Sequence, residues 1–314
     1  MTKIPYLNGD GLKGKTWNMI SGCSGIGCKV RDHCWARKMV RRFPVIHGWL
    51  VSPTVDDCGG LRIPFSTVQF HPDRLNKPLH WKRPRRIGVC FLGDLFDDQV
   101  PYEWQQRVFE ITLRCPQHEF FFLTKQPRNM VTTVLTSWEK RGMPIADNWW
   151  FGVSITDQPD ADWMIPELLR IPGKHWGSIE PMLGPVKIPR YVWLPSMVRG
   201  DGPFYGTKAP SGLYLASVNP NGAVSVTATN GHLLGVKPGE FEERKLDWVV
   251  LGCESGHKRL PCPHEWMIDV VRQCKAAGVP VYCKQIQDVR GKVIHDINLF
   301  PKELQIREAP NAIT

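Results

Sequence analysis

The sequence predicts an α/β fold organised as a (β/α) barrel, complete or partial, and three observations carry that expectation. From residue 66 onward, short apolar runs alternate with amphipathic stretches of helical length. The runs are apolar almost throughout, as strands covered on both faces are, and strands of that kind separated by helices imply a parallel sheet. With an opening strand before residue 21 they number about eight, the count of a closed barrel. A doubly wound open sheet satisfies the same periodicity and stands as the alternative.

Taken in order, residues 1–15 are polar and glycine-rich and read as a loosely held arm. Residues 15–20 read as the first strand and 34–43 as a helix rich in Arg and Lys, followed by an irregular segment, 44–64, containing Cys58, Gly59 and Gly60. Further strands are expected at 66–70, 87–92, 120–124, 150–155, 176–179, 248–252 and 279–284, with helices at 102–115, 128–141, 160–170 and 264–277. The stretch 191–245, rich in Gly, Pro, Asn, Ser and Thr, breaks this rhythm. Runs at 213–218 and 223–228 flank Asn219-Pro220-Asn221-Gly222, a hairpin signal. The expected organisation is therefore a barrel over 1–190 and 246–290, an inserted β-rich segment over 191–245, and a polar tail over 291–314.

Composition narrows the function classes. Hydrophobic residues make up 42% of 314, enough for a large core. Forty Lys and Arg against 30 Asp and Glu leave +10, which favours a polyanionic partner such as DNA or a nucleotide, although a solvated cationic surface produces the same number. The run Arg37, Lys38, Arg41, Arg42 invites both readings, and a solvated face is the simpler. No run of about 18 apolar residues crosses a membrane and no apolar leader opens the chain, so a cytoplasmic location is expected. Ten cysteines in that compartment point to metal ligation or burial rather than to disulfides.

Three of those cysteines, Cys23, Cys28 and Cys34, share a loop with Gly22, Gly25 and Gly27 that leads into the Arg-rich helix. Three thiolates can hold three corners of a [4Fe-4S] cluster and leave the fourth iron open to a small ligand, the place for S-adenosyl-L-methionine. Trp35 is placed to shield one face of such a cluster. The gaps between the cysteines are four and five residues, whereas radical-SAM loops usually have three and two. Structural zinc is the rival, but it normally pairs its cysteines as Cys-x-x-Cys and needs a fourth ligand, for which His33 is the neighbour. Unligated thiols are the third possibility.

Polar residues cluster at the ends of the expected strands, where barrels collect their chemistry: His71 and Asp73, Asp94 and Asp97, Lys125, Ser154, Glu180, Glu254 and Ser255, and Lys284 with Gln285. Glu180 precedes Pro181 and is held in an extended turn. Lys125 follows an apolar strand and needs a carboxylate such as Asp94. Glu180, Lys125 and Asp94 are the candidates for catalysis; Trp35, Asp94, Ser154, Glu180 and Glu254 are those for holding the cofactor. The other cysteines read as core, with Cys253 and Cys283 near strand ends. There is no phosphate loop, no dinucleotide fingerprint and no Ser/His/Asp signature.

The set Trp17-Asn18, Gly22-Cys23, Gly27-Cys28, Cys34-Trp35-Ala36, Phe70-His71-Pro72-Asp73-Arg74-Leu75, Gly93-Asp94-Leu95-Phe96, Leu123-Thr124-Lys125, Gly152-Val153-Ser154, Ser178-Ile179-Glu180-Pro181-Met182-Leu183-Gly184-Pro185 and Gly252-Cys253-Glu254-Ser255-Gly256 resembles the phage-borne three-cysteine-motif proteins. These are regarded as radical-SAM-like, and some members serve pathways that hypermodify thymine. The resemblance implies a barrel of radical-SAM type, a [4Fe-4S] cluster with S-adenosyl-L-methionine, and an external electron donor. It further implies a substrate in DNA or a modified nucleotide, isomerised by moving a carbon–nitrogen bond to carbon–carbon, in the host cytoplasm if phage-encoded. A lyase of spore-photoproduct-lyase type and a zinc-stabilised nucleic-acid-binding protein without enzymatic activity are the alternatives.

Overall fold

The structure, a computed structural model, describes residues 2, 4–9, 11–43, 46, 63–188, 191–194, 212–218, 224–227, 233–235, 242–255 and 259–310. Its strands are β1 (Lys15–Trp17), β2 (Ile20–Ser21), β3 (Gln69–Phe70), β4 (Arg86–Val89), β5 (Glu119–Thr124), β6 (Trp149–Ile155), β7 (Lys174–Ile179), β8 (Tyr191–Leu194), β9 (Gly212–Val218), β10 (Val224–Thr227), β11 (Leu233–Gly235), β12 (Glu242–Arg244), β13 (Trp248–Gly252), β14 (Val281–Gln287) and β15 (Val293–Ile294). Its helices are α1 (Trp35–Arg42), α2 (Pro72–Leu75), α3 (Tyr102–Leu113), α4 (Pro127–Arg141), α5 (Gln158–Leu168) and α6 (His264–Ala276).

The main sheet runs β1-β4-β5-β6-β7-β13-β14-β15, parallel at every step except the last. The fold is thus α/β with a large, mostly parallel sheet. Strand order advances in one direction, without the reversal that defines a doubly wound sheet. No pairing joins β1 to β14 among the described residues, so closure into a complete barrel is not shown.

Why these residues make strands is visible in their alternation. Phe120, Phe122, Phe151, Val153, Val249 and Leu251 pack into the large cluster that also contains Val108, Phe109, Met130 and Val134 of α3 and α4. Their neighbours Phe121, Trp150, Trp176, Trp248, Val250 and Tyr282 point the other way and form a second cluster with Tyr6 and Leu7. Both faces are therefore apolar, the pattern of a sheet covered twice. Phe121 and Trp150 stack at 5.6 Å, and Trp176 lies 5.8 Å from Trp248. The Trp176 indole fits because residue 152 is glycine: a Cβ there would sit 2.2 Å from its Nε1. That Nε1 donates to Phe122 O at 2.9 Å, so the bulkiest inward side chain is also satisfied.

Two expected strands change. The 15–20 run breaks at Asn18, whose Oδ1 accepts the Leu92 N–H at 3.0 Å, leaving β1 in the sheet and β2 outside it. Of 66–70 only β3 is extended, and it pairs antiparallel with β2, because a turn closes from Thr67 N–H to Pro64 O at 2.9 Å. Among the described residues the parallel strands of the main sheet are seven, where about eight were expected. The segment expected as a polar tail packs along β14: β15 pairs with it, Cys283 N–H donates to Ile306 O at 2.9 Å, and Phe300 and Leu304 are buried. A bare β14 edge would expose unpaired backbone, which this segment satisfies.

Strands β8 to β12 form a separate antiparallel sheet ordered β11-β10-β9-β8-β12. The hairpin expected there is present as β9 against β10, with Val218 opposite Val224. Its Asn219–Gly222 turn, like Cys58, Gly59 and Gly60 of the irregular segment, lies outside the described residues.

His175, on β7, is buried, and burial pushes it down from 6.5 to about 4. The Asp247 carboxylate accepts its backbone N–H at 2.7 Å but is 3.7 Å from Nδ1, too far for a bond that would favour imidazolium. The unfolded chain binds this proton more tightly, so stability contributed here is complete above about pH 6.5 and is lost as pH falls towards 4. The stability of the protein relative to its His175→Phe variant is expected to fall across that window in pH-dependent urea melts. A difference that is flat from pH 7 to pH 4 refutes it.

Candidate functional site

The inward-facing rows of the sheet turn polar at their C-terminal ends. Counting by twos from Leu123, Trp150, Trp176, Val250 and Tyr282 leads to Lys125, Ser154, Ser178 and Glu180, Glu254, and Lys284, all of which line one cavity of about 1060 Å³. Period two thus carries the same face from an aromatic floor to a polar rim. Lys284 Nζ pairs with Glu180 Oε1, the two side chains being 19% and 15% exposed. A Cβ at Gly252 would lie 3.2 Å from the Glu180 Cγ and Cδ, so glycine at the end of β13 gives that carboxylate its room. Beneath this pair lies Tyr6, with the Lys284 ammonium 5.8 Å from its ring centroid. Burial, and then the negative Glu180, hold the phenol well above its ordinary range.

Lys125 differs from expectation. Its Nζ donates to Ser154 Oγ, while Asp94 takes the Lys125 backbone N–H at 3.0 Å instead of the ammonium. Asp94 also accepts from Thr124 Oγ1 at 2.8 Å and Phe96 N–H at 2.9 Å. It therefore clips the loop after β4 to the end of β5. Burial outweighs those donors and pushes the carboxyl up to about 6.

The cysteine loop arches over the rim and is tied at both sides. Near β4, Gly22 N–H donates to Leu92 O at 3.2 Å, and Asp97 Oδ2 accepts both the N–H and the hydroxyl of Ser24 at 2.8 Å. Across the mouth, Lys29 reaches Asp157 and, at 2.8 Å, Asp160, at the N-terminal end of α5. Gly25 and Gly27 have φ of +73° and +69°, the left-handed turns glycine adopts freely. As a result Cys23, Cys28 and Cys34 all line the cavity, half-buried and free. Gly25 N–H donates to Cys23 Sγ at 3.3 Å. Burial, reinforced by Asp94, pushes the Cys23 thiol far up; burial also raises Cys28, against which the nearby Lys125 acts.

These residues suit a thiolate-ligated group by donor chemistry: three soft sulfurs lining one cavity, one already receiving an amide N–H, as cluster sulfurs and their ligands do. Burial favours the protonated thiols of Cys23 and Cys28, and metal binding would displace those protons. Among the described residues no three of His, Cys, Asp and Glu already converge as a ligand set.

Trp35, Asp94, Lys125, Ser154, Glu180, Glu254 and Ser255 all line this cavity. Glu254 also accepts the Leu260 N–H at 3.2 Å. His71 bonds Ser21 Oγ at 2.7 Å, Asp73 is exposed beside Arg74, and Gln285 staples Cys253 O at 2.7 Å, so these three serve the frame. Of the remaining strand-end cysteines, Cys253 touches the cavity and burial pushes its thiol up to about 12. Tyr6 and the Lys29 tether had no signal in the sequence: Tyr6 sits in the expected arm, and Lys29 finds its acids 128 and 131 residues away.

A family described as "Protein of unknown function (DUF5131)" matches residues 7–298. No curated protein and no solved structure matches the chain. Among the described residues no helix is long and apolar enough to cross a membrane.

Proposed function

The chain belongs to the DUF5131 family of proteins of unknown function, and we propose that it is a radical-SAM-type enzyme that isomerises a modified thymine base in DNA. The observation that carries this reading is the meeting of three loop thiols with five polar strand ends in one cavity of about 1060 Å³. That volume is at the upper end for a single small-molecule site and suits a cofactor together with a base.

In this reading Cys23, Cys28 and Cys34 would hold a [4Fe-4S] cluster, which, reduced by an external electron donor, would supply the electron for reductive cleavage of S-adenosyl-L-methionine. Everything else falls to the chain's own groups. Glu180 and Glu254 offer acceptors to an ammonium, while the ammonium groups of Lys125, which Ser154 orients, and Lys284 offer donors to a carboxylate or to ribose oxygens. Asp94 and Asp97 fix the rim and the loop that must close over the substrate. Phe121, Trp150, Trp176 and Trp248 seal the floor against water, which a reactive radical requires. The DNA base is supported by the resemblance to phage three-cysteine-motif proteins and by the +10 charge; a base in a duplex would have to be flipped out to reach this depth.

Anaerobic reconstitution with iron and sulfide should give a brown protein with about four irons per chain. The Cys23, Cys28, Cys34→Ala triple variant should stay colourless. A colourless wild type that retains zinc overturns the radical mechanism and leaves a zinc-stabilised nucleic-acid-binding protein. Product analysis then separates an isomerase from a lyase of spore-photoproduct-lyase type.

A further inference from the structure

We infer that the exposed face of α1, which forms one wall of the cavity mouth, is a platform for a single-stranded polynucleotide, leading the strand inward. The inference deepens the proposed function and relies on it for the strand's being the substrate; binding itself needs no cluster.

Helix α1 has three distinct faces. Ala36 and Val40, four apart, are buried and seat it on the protein. Trp35, Met39 and Phe43, also four apart, form a row that is 50%, 39% and 48% exposed. Lys38 and Arg42 run beside that row, and Arg37 and Arg41 complete the circumference, all exposed. Among the described residues none of these four cations has a carboxylate partner, and the helix carries no acid in its first turn. The Arg42 guanidinium lies 5.3 Å from the centre of the Phe43 ring and the residue is exposed.

A solvated helix face accounts for the cations but not for a row of three large apolar side chains among them. Aromatic surface interleaved with unpaired cations is what a single strand needs, rings for the bases and charges for the phosphates. The alternative occupant of a cationic amphipathic face is an anionic bilayer. Trp35, Met39 and Phe43 line the same cavity as Cys23 and Asp94; this wall is concave, which suits a chain threading inward and not a membrane surface.

The test is fluorescence anisotropy with a labelled oligothymidylate of about 20 nucleotides, longer than a single site, on protein purified without iron or S-adenosyl-L-methionine. Lys38→Gln/Arg42→Gln should weaken binding about tenfold and flatten the salt dependence by about 1.4 in log–log slope, two phosphates' worth for a single strand. Trp35→Ala should weaken binding by a similar factor with the slope unchanged. Lys38→Arg/Arg42→Lys should retain wild-type binding, which separates lost charge from misfolding. Lys82→Gln/Arg83→Gln removes the same charge from an exposed site elsewhere and should have no effect. Equal losses in that control, unchanged binding in the α1 variants, or tighter binding to phosphatidylserine vesicles that the same variants abolish would each overturn the inference. Because no iron is present, failure here leaves the cluster test untouched, and failure of the cluster test leaves this one standing.

Discussion

Glu180→Gln is expected to lower S-adenosyl-L-methionine cleavage by about 100-fold, the usual cost of a reacting group displaced by about 1 Å. Glu180 connects several parts of the rim. Its carboxylate holds Lys284, its backbone carbonyl accepts the Ser154 hydroxyl at 3.2 Å, and Ser154 in turn receives the Lys125 ammonium. Glutamine keeps the shape that Gly252 makes room for but removes the charge. Lys284 is then left with its ammonium over the Tyr6 ring and no carboxylate, a cost that the partial exposure of its side chain moderates. A Lys284→Met variant should lose activity as well, and Glu180→Gln/Lys284→Met should lose less than the two losses combined, since each single change strands the same partner. The readout is 5′-deoxyadenosine formed per chain, alongside the thermal midpoint of each variant. Full activity in Glu180→Gln, or strict additivity in the double variant, removes Glu180 from the chemistry and leaves it a structural acid.

The contrast between Glu180 and Lys29 shows what the sequence carries. Glu180 was legible because it stands at the end of the expected strand 176–179 and precedes Pro181, where a parallel sheet collects its polar residues. The same strand-end rule located Lys125, Ser154 and Glu254. It failed where geometry depends on contacts distant in sequence. The partner of Lys125 was expected to be Asp94, two strand ends that do meet, but the backbone N–H reached the carboxylate first and the ammonium turned to Ser154. Tyr6 belongs to a segment with no periodicity, and it enters the sheet's inner face only because Trp176, Trp248 and Tyr282 leave a space there, with ring centroids at 5.9 to 6.2 Å. The 66–70 run was apolar enough for a strand, yet a turn at Pro64 outcompeted it, since a local hydrogen bond is available before any long-range pairing. Likewise the 291–310 segment is polar in composition and still docks, through Phe300, Leu304 and the backbone groups that β14 leaves unpaired.

The second large effect is expected at a residue with no side chain. Gly93 and Gly22 form a parallel bridge, the point at which the cysteine loop leaves β2 and crosses the end of the sheet. A Cβ at Gly93 would lie 2.5 Å from Gly22 O and 3.2 Å from Gly22 N, both backbone atoms that cannot rotate aside as a side chain would. Gly22 is itself at φ +89°, a conformation it cannot exchange for another without redirecting Cys23. The strain therefore has one outlet, a shift of the loop away from β4, which would stretch the Ser24–Asp97 bonds and displace the Cys23 sulfur in the cavity it lines with Cys28 and Cys34. Gly93→Ala should cost about 1–3 kcal/mol of stability, as overpacking does, and should fail to retain iron under conditions in which the wild type does. Gly184→Ala is the matched comparison: it too follows a strand end, that of β7, but its Cβ would meet only the Asp157 Cβ, at an ordinary 3.4 Å, and it should load iron like the wild type. If Gly93→Ala loads as much iron as Gly184→Ala, the loop does not need this approach to bring its thiols together, and the three cysteines are held by their ligand rather than by the fold.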